Sequence, residues 1–174
     1  LFNCSYFHII FIKMIFNSKK HNSELYTTLL TLSRNIYFYN KMNLKDSYET
    51  RIYLMFIHFS MILIIYKKRK IKFPQLNYDS LFHCIENNLR ELGFGDVAVN
   101  KKMKELNKVF YDILLKIIEK EDFSKLNKKL VFKYFLELND SEHDKYELFE
   151  RYFTKFYNFC FELTAESMIE DALK

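Results

Sequence analysis

The sequence predicts an all-α protein: a single compact domain of several helices with a long, apolar central helix. Its 174 residues include one proline and two glycines, too few for the many tight turns of a β-sandwich, a barrel or a doubly wound sheet. Hydrophobic residues make up 49% of the chain, enough for a core without metal or disulfide support. Apolar residues also recur at three- and four-residue intervals, the spacing of amphipathic helices.

The first segment of the chain is expected to lie outside this domain. Residues 1–23 form an N-terminal arm that has no acidic residue and contains the apolar stretch from Phe7 to Phe16. A secretory signal would carry basic residues before its apolar region and a small-residue cleavage site after it, and neither is present. We interpret Met14 as the natural start, with an apolar membrane-contacting arm as the alternative. The helical domain is then 24–174.

The first helices of the domain lead into the central one. A helix is expected from Ser23 to Leu32, followed by a short helical piece from Arg34 to Asn40. Asp46 stands three residues before Glu49, the spacing of a capping box, and is expected to cap the long helix.

The apolar run from Ile52 to Tyr66 forms the body of the long helix, which should end near Lys70. His58 and Ser60 are its only polar interruptions. A spanning helix needs about 20 apolar residues, and this run has 15. We therefore interpret it as a central helix surrounded by its neighbours, with a membrane span as the alternative.

Pro74 is expected to separate the long helix from the next one, because proline lacks a backbone donor and restricts the residue before it. Asn77 or Asp79 can cap the next helix, and Gly93 supplies its end. Its predicted inward stripe consists of Leu81, Phe82, Ile85, Leu89 and Leu92.

A turn from Gly93 to Asp96 precedes the most regular helix, expected from Asn100 to Lys120. Two more helices are expected, at Ser124–Leu138 and Ser141–Leu163, and residues Thr164–Leu173 either extend the last one or fray. The stripe of the Asn100–Lys120 helix consists of Met103, Leu106, Phe110, Ile113, Leu114 and Ile117. The stripe of the last helix consists of Leu148, Phe149, Tyr152, Phe153, Phe156 and Cys160.

Charge is distributed unevenly along the chain. Residues 1–136 carry 23 basic and 12 acidic side chains, whereas 137–174 carry 4 and 10. A basic front favours an anionic partner such as RNA or lipid headgroups, although solvated helix faces without a partner explain the pattern equally well. The candidate contacts with an anionic membrane or the ribosome are Lys67, Lys68, Arg69 and Lys70. We expect no DNA partner.

Residue types that carry catalysis or bind metals are scattered. The five histidines include no pair at the four-residue spacing of a metalloprotease helix. The cysteines, Cys4, Cys84 and Cys160, lack the spacing of a zinc or redox pair and are interpreted as reduced. We therefore predict no metal site and no cofactor.

Two patterns in the sequence are weak candidates for catalysis. His58 is interpreted as a buried imidazole with one hydrogen bond, and His83 with Cys84 and Glu86 as residues on different sides of one helix. Gly93-Phe94-Gly95 lacks the third glycine of a dinucleotide loop and the Gly-Lys-Ser/Thr of a phosphate loop. We expect a protein that is not an enzyme.

One stretch of the chain resembles the signature of the ubiquinol-cytochrome c chaperone family. It reads Asn-Leu-Arg-Glu-Leu-Gly-Phe-Gly-Asp over residues 88–96 and continues through 97–104 to Phe110-Tyr111. Upstream support comes from Ser33-Arg34 with Phe38-Tyr39, from Asp46 ahead of Arg51, and from His58. The resemblance covers roughly residues 26–120.

Four positions depart from the pattern of this family. Asp112 and Ile113 replace the glycine and arginine that usually follow the Phe-Tyr pair, Thr50 replaces a glycine, and Cys84 replaces an aspartate. These changes affect details of the client surface.

The resemblance implies a helical assembly factor for the cytochrome bc complex that binds newly made cytochrome b as its client. It also implies a small partner protein, work near the ribosome, and a location at the inner face of the bacterial inner membrane or the matrix side of the mitochondrial one. The candidate client- or partner-binding residues are Arg90, Glu91, Gly93, Gly95, Asp96, Lys101, Lys104 and Tyr111.

Alternatives remain open from the sequence. Arg90 and Glu91 could instead simply pair with other helices and hold the fold. A membrane-associated helical structural protein without a client would use the apolar arm and the basic residues as anchors. A helical enzyme would depend on His58 or His83.

Overall fold

Seven α-helices and one short hairpin make up the part of the chain that the computed structural model describes, residues 23–119, 122–139 and 144–162. The all-α prediction is confirmed, with the hairpin as an addition. In chain order the elements are α1 (Ser23–Ser33), α2 (Ile36–Asn40), α3 (Tyr48–Lys68), α4 (Gln75–Glu91), α5 (Asp96–Lys116), β1 (Ile118–Glu119), β2 (Asp122–Leu126), α6 (Lys128–Tyr134), a 3-10 helix (Leu136–Asn139) and α7 (Lys145–Glu162).

Helix α3 is the centre of the fold. It packs against α1, α5 and α7, and α4 closes the group by packing against α1 and α5. Among the described residues it is the one helix long and apolar enough to cross a membrane. Most of its apolar stretch is buried by the rest of the protein. The prediction of a buried central helix is therefore confirmed.

The start of α3 differs from the sequence prediction. Ser47, not Asp46, is the N-cap, and its hydroxyl accepts a hydrogen bond from the Thr50 amide at 3.1 Å. Asp46 lies one residue too early to reach that amide and instead binds the Arg51 guanidinium through two bonds of 2.7 Å.

The end of α3 is a reversal of the chain. Lys70 adopts a left-handed conformation, with φ of 57°. Its amide donates to the Lys67 carbonyl at 3.0 Å, and the Ile71 amide donates to the Tyr66 carbonyl at 2.9 Å. These two bonds satisfy carbonyls that the helix end would otherwise leave open.

Helix α4 begins directly after Pro74, which is its N-cap, so the predicted caps Asn77 and Asp79 are wrong. Leu81, Ile85 and Leu89 are buried as predicted. The predicted inward position of Leu92 is wrong, because the helix has ended at Glu91 and the turn directs Leu92 to solvent.

Helix α5 begins at Asp96, four residues earlier than predicted, and its inward stripe is confirmed.

The single helix predicted over Ser124–Leu138 is wrong, since a strand, a short helix and a 3-10 helix occupy this range. Contacts from α7 hold the strand: the Leu126 amide donates to Glu150 at 3.0 Å, and its carbonyl accepts from the Tyr146 hydroxyl at 2.9 Å.

Several predictions lie outside the described residues. They concern the N-terminal arm with Phe7 to Phe16, the Met14 start, Cys4 and the segment Thr164–Leu173.

Candidate functional site

The predicted turn is an exposed elbow, residues 90–97, between α4 and α5. The Phe94 amide donates to the Leu89 carbonyl at 3.2 Å, and the Gly93 amide donates to the Arg90 carbonyl at 2.9 Å. Gly93 has φ of 89°, a conformation that side chains disfavour. Gly95 has an ordinary φ of −70°, which any residue can adopt, so of the two glycines only Gly93 is required by the backbone of the turn.

Arg90 fixes the charges of the elbow. Its guanidinium donates to Glu86 one turn back at 2.8 Å and to Asp96 across the turn. Both carboxylates raise the pKa of Arg90. Asp96 pairs with Arg90 and stands in the first turn of α5, where a negative charge complements the helix dipole.

Apolar side chains beside these charges are exposed. The exposed fraction is 57% for Leu92, 44% for Phe94 and 86% for Val97. Glu91 is exposed next to Leu92. The elbow is thus open to a partner on its outer side, and it combines charged and apolar groups.

The other predicted client-binding residues lie further along α5. Lys101 and Lys104 are exposed one and two turns beyond Val97. Tyr111 is 50% exposed, and its hydroxyl accepts a hydrogen bond from Tyr78 at 3.2 Å. The structure therefore brings Arg90, Glu91, the two glycines and Asp96 together, and it separates the remaining three residues from them.

The elbow lies at one end of α3, and the basic cluster, which consists of Lys67, Lys68, Arg69 and Lys70, lies at the other. Lys102 in α5 binds Glu49 in the first turn of α3 at 3.2 Å, so the elbow lies near the N-terminal end of that helix. The basic cluster follows its C-terminal end. A helix of 21 residues separates them by about 30 Å.

The basic cluster is itself divided. Lys68 and Arg69 lie over the Phe161 ring, at 4.8 and 5.3 Å from its centroid, and Arg69 also donates to the Phe161 carbonyl. These two residues tie α3 to the end of α7. Lys67 and Lys70 are exposed.

Asp112, one of the departures from the family pattern, has a structural role. It accepts hydrogen bonds from Lys116, from Lys133 at 2.7 Å and from Tyr134 at 2.7 Å. These contacts lower the pKa of Asp112 and join α5 to α6.

His58 is fully buried between α3 and α7. Its Nδ1 donates to the Leu54 carbonyl at 2.7 Å, which leaves Nε2 to accept from the Tyr152 hydroxyl at 3.0 Å. Burial lowers the pKa of His58 to about 3. The prediction of burial is confirmed, with a second hydrogen bond that the sequence did not predict.

Within the described ranges, no three His, Cys, Asp or Glu side chains are grouped so that they could hold a metal ion. Cys84 and Cys160 are free thiols, and burial raises the pKa of both.

Sequence reasoning missed the exposed apolar side chains of the elbow and two outward residues of α5, Lys108 and Leu115. The signal for the last two was present, since they continue the three- and four-residue spacing of Val97, Lys101, Lys104 and Tyr111.

Fold and site together define a helical protein that presents a charged and apolar elbow to solvent. The model of the family described as Ubiquinol-cytochrome C chaperone matches residues 40–131, which is more than half of the chain and includes the whole elbow. The chain belongs to this family. Comparison with curated proteins and with solved structures found no match.

Proposed function

We propose that this protein is a non-enzymatic assembly chaperone that binds newly made cytochrome b and promotes assembly of ubiquinol-cytochrome c reductase. The observation that carries the proposal is the exposed elbow within the family match. Leu92 and Phe94 offer apolar contacts to a transmembrane segment of the client before that segment enters the bilayer. Arg90, Glu91 and Asp96 bind its polar flanks.

The buried His58 supports the non-enzymatic part of this proposal. An imidazole with no access to solvent and both nitrogens bonded internally cannot exchange protons with a substrate. His83 lies on the exposed side of α4.

A paired substitution at the elbow tests client binding. We expect Leu92→Asp with Phe94→Asp to reduce co-purification of cytochrome b and the amount of assembled complex, because a charged elbow no longer accepts apolar client surface. Leu76→Asp with Leu136→Asp is the matched control, since both leucines are exposed and lie outside the elbow. Equal cytochrome b recovery with both double variants would refute the proposed site.

A second candidate function, a membrane-associated structural protein, has one observation in its favour. Ile71 is exposed between Lys70 and Lys72, so the turn after α3 combines basic and apolar side chains, as a lipid-contacting segment does. Sedimentation with vesicles containing phosphatidylserine measures this property. Binding that salt weakens, together with normal cytochrome b levels in cells lacking the protein, would favour this alternative over the chaperone.

For the chaperone, contact of Lys67 and Lys70 with an anionic membrane or ribosomal RNA would hold it close to the site of client synthesis. Such a site lies on the cytoplasmic face of the bacterial inner membrane or the matrix side of the mitochondrial one.

A further inference from the structure

A single line of exposed residues runs along the outer face of α5. Its members, which we call the α5 ridge, are separated by four, three, four, three and four residues, so they share one side of the helix. The buried residues Val99, Leu106, Phe110 and Ile113 lie on the opposite side. The α5 ridge consists of Val97, Lys101, Lys104, Lys108, Tyr111 and Leu115.

The ridge lysines differ from other lysines of the same helix. Lys102 pairs with Glu49, and Lys116 pairs with Asp112. No carboxylate in the described part of the chain forms an ion pair with Lys101, Lys104 or Lys108. Three positive charges therefore stand in a row without an ion-pair partner among the described residues.

Apolar side chains occupy both ends of the row. Val97 is 86% exposed at one end, and Leu115 is 76% exposed at the other, next to Tyr111. These exposed apolar groups add contact area at both ends of the charged row on the same face of the helix.

We propose that the α5 ridge binds an acidic amphipathic helix of a partner protein. The ridge extends about 27 Å, or five helical turns. One partner helix of similar length can cover it along its side. That helix would carry acidic residues at three- and four-residue spacing against the lysines, and apolar residues against Val97 and Leu115. This surface is additional to the elbow, where the proposed client binds.

The surrounding charges favour a helix over a nucleic acid or a lipid surface. Glu105 lies on the same helix within four residues of each ridge lysine, and Asp96 precedes Val97. A phosphate backbone or a flat anionic bilayer would meet these carboxylates together with the lysines. A partner helix can instead place its acidic side chains opposite the lysines and away from these carboxylates.

Fluorescence anisotropy with two synthetic helical peptides of about 20 residues tests the proposal. One peptide carries glutamates at three- and four-residue spacing with leucines at both ends, and the other has the same composition in scrambled order. We expect the ordered peptide to bind the full chain more tightly. Lys101→Glu with Lys104→Glu and Lys108→Glu should weaken this binding by about tenfold or more.

The matched control carries the same charge change at the other basic surface, Lys67→Glu with Lys70→Glu and Lys72→Glu, and should bind the ordered peptide as the unmodified protein does. Equal binding of both peptides, or equal loss with both triple variants, overturns the proposal. So does a ridge variant that loses binding to an RNA oligonucleotide or to phosphatidylserine vesicles while it keeps the ordered peptide.

A photo-cross-linking amino acid at position 104 in cells gives a second readout. We expect cross-links to a protein segment with acidic residues at helical spacing, and cross-links to RNA or lipid alone overturn the proposal. Cytochrome b co-purification with the ridge triple variant separates the two surfaces. It measures client binding at the elbow independently of peptide binding at the ridge.

Discussion

The imidazole of His58 is fully buried in the core. Both of its nitrogens are bonded, one to the Leu54 carbonyl and one to the Tyr152 hydroxyl. The group can stay neutral in this position, but it cannot gain a proton without losing a hydrogen bond or placing a charge in the core. His58 thus links the integrity of the contact between α3 and α7 to pH.

The pKa of His58 predicts how stability changes with pH. The folded-state pKa is about 3 and the ordinary value is 6.5, so the unfolded chain binds the proton first as pH falls. The contribution to stability is therefore complete above pH 6.5 and is lost below it, by about 1.4 kcal/mol per pH unit. Urea unfolding between pH 7 and 5 should show this slope.

His58→Gln should reduce that slope by about one proton, and the exposed His83→Gln is the control variant. The same slope in both variants would show that other groups dominate the pH dependence.

The sequence could predict the burial of His58, because the apolar residues around it on α3 leave no polar side for an imidazole. It could not predict Tyr152 as a partner, because the two residues are 94 positions apart and meet only after α7 packs on α3. The Arg90–Asp96 pair was missed for a related reason. A separation of six residues is not a helical contact, and only the turn at Gly93 brings the two side chains together.

At the scale of elements, the same substitution should have opposite effects on stability at the two glycines of the elbow. Gly93→Ser should destabilise the protein by about 1–2 kcal/mol, because its left-handed conformation disfavours a side chain. Gly95→Ser should stabilise it by roughly a few tenths of a kcal/mol, because Gly95 is the N-cap of α5 and a serine hydroxyl there can accept a bond from a free helix amide.

No atom of the described residues lies within 4 Å of a β-carbon placed at either glycine, so steric crowding does not decide the sign of either effect. Thermal unfolding of the two variants measures the difference, and equal effects would contradict the assigned turn geometry.

The start of α3 gives a second prediction at this scale. Ser47→Ala should cost about 1 kcal/mol of stability, because the Thr50 amide loses its acceptor. Asp46→Ala should have a smaller effect, since it removes an exposed ion pair with Arg51 and leaves the cap intact. If urea unfolding showed a larger loss of stability for Asp46→Ala than for Ser47→Ala, Asp46 would be the cap, as the sequence predicted.

Helical elements were predictable where a single periodic stripe decides the structure, as in α5. The range from Ser124 to Leu138 was not, because its conformation depends on distant groups. Tyr146 and Glu150 of α7 bind the backbone of Leu126, and Asn127 caps α6 by accepting from the Leu130 amide. Local periodicity carries no information on those contacts.

At the scale of the whole molecule, Phe110 joins three helices. Its ring contacts Phe56 and Phe59 of α3 and Phe82 of α4, with centroid distances of 5.2, 5.6 and 5.2 Å. These contacts set the position of α5, and with it the position of the elbow. Both surfaces that we propose for binding depend on this packing.

Phe110→Ala should therefore cost about 3–5 kcal/mol, a large share of the roughly 5–15 kcal/mol that stabilises a domain. Leu115→Ala, on the exposed side of the same helix, should change stability by less than about 0.5 kcal/mol. Denaturant unfolding of the two variants provides the comparison, and similar losses would contradict the assigned faces of α5.

The reversal after α3 places a lysine in a backbone conformation that costs stability. The same pair of backbone bonds ends α4, where glycine takes the left-handed position, but after α3 that position is held by Lys70. A glycine at 70 would relieve the backbone penalty and raise the melting temperature. It would also remove one cation from the row that continues to Lys72, so the surface charge of this turn would fall as the resistance to heat rises.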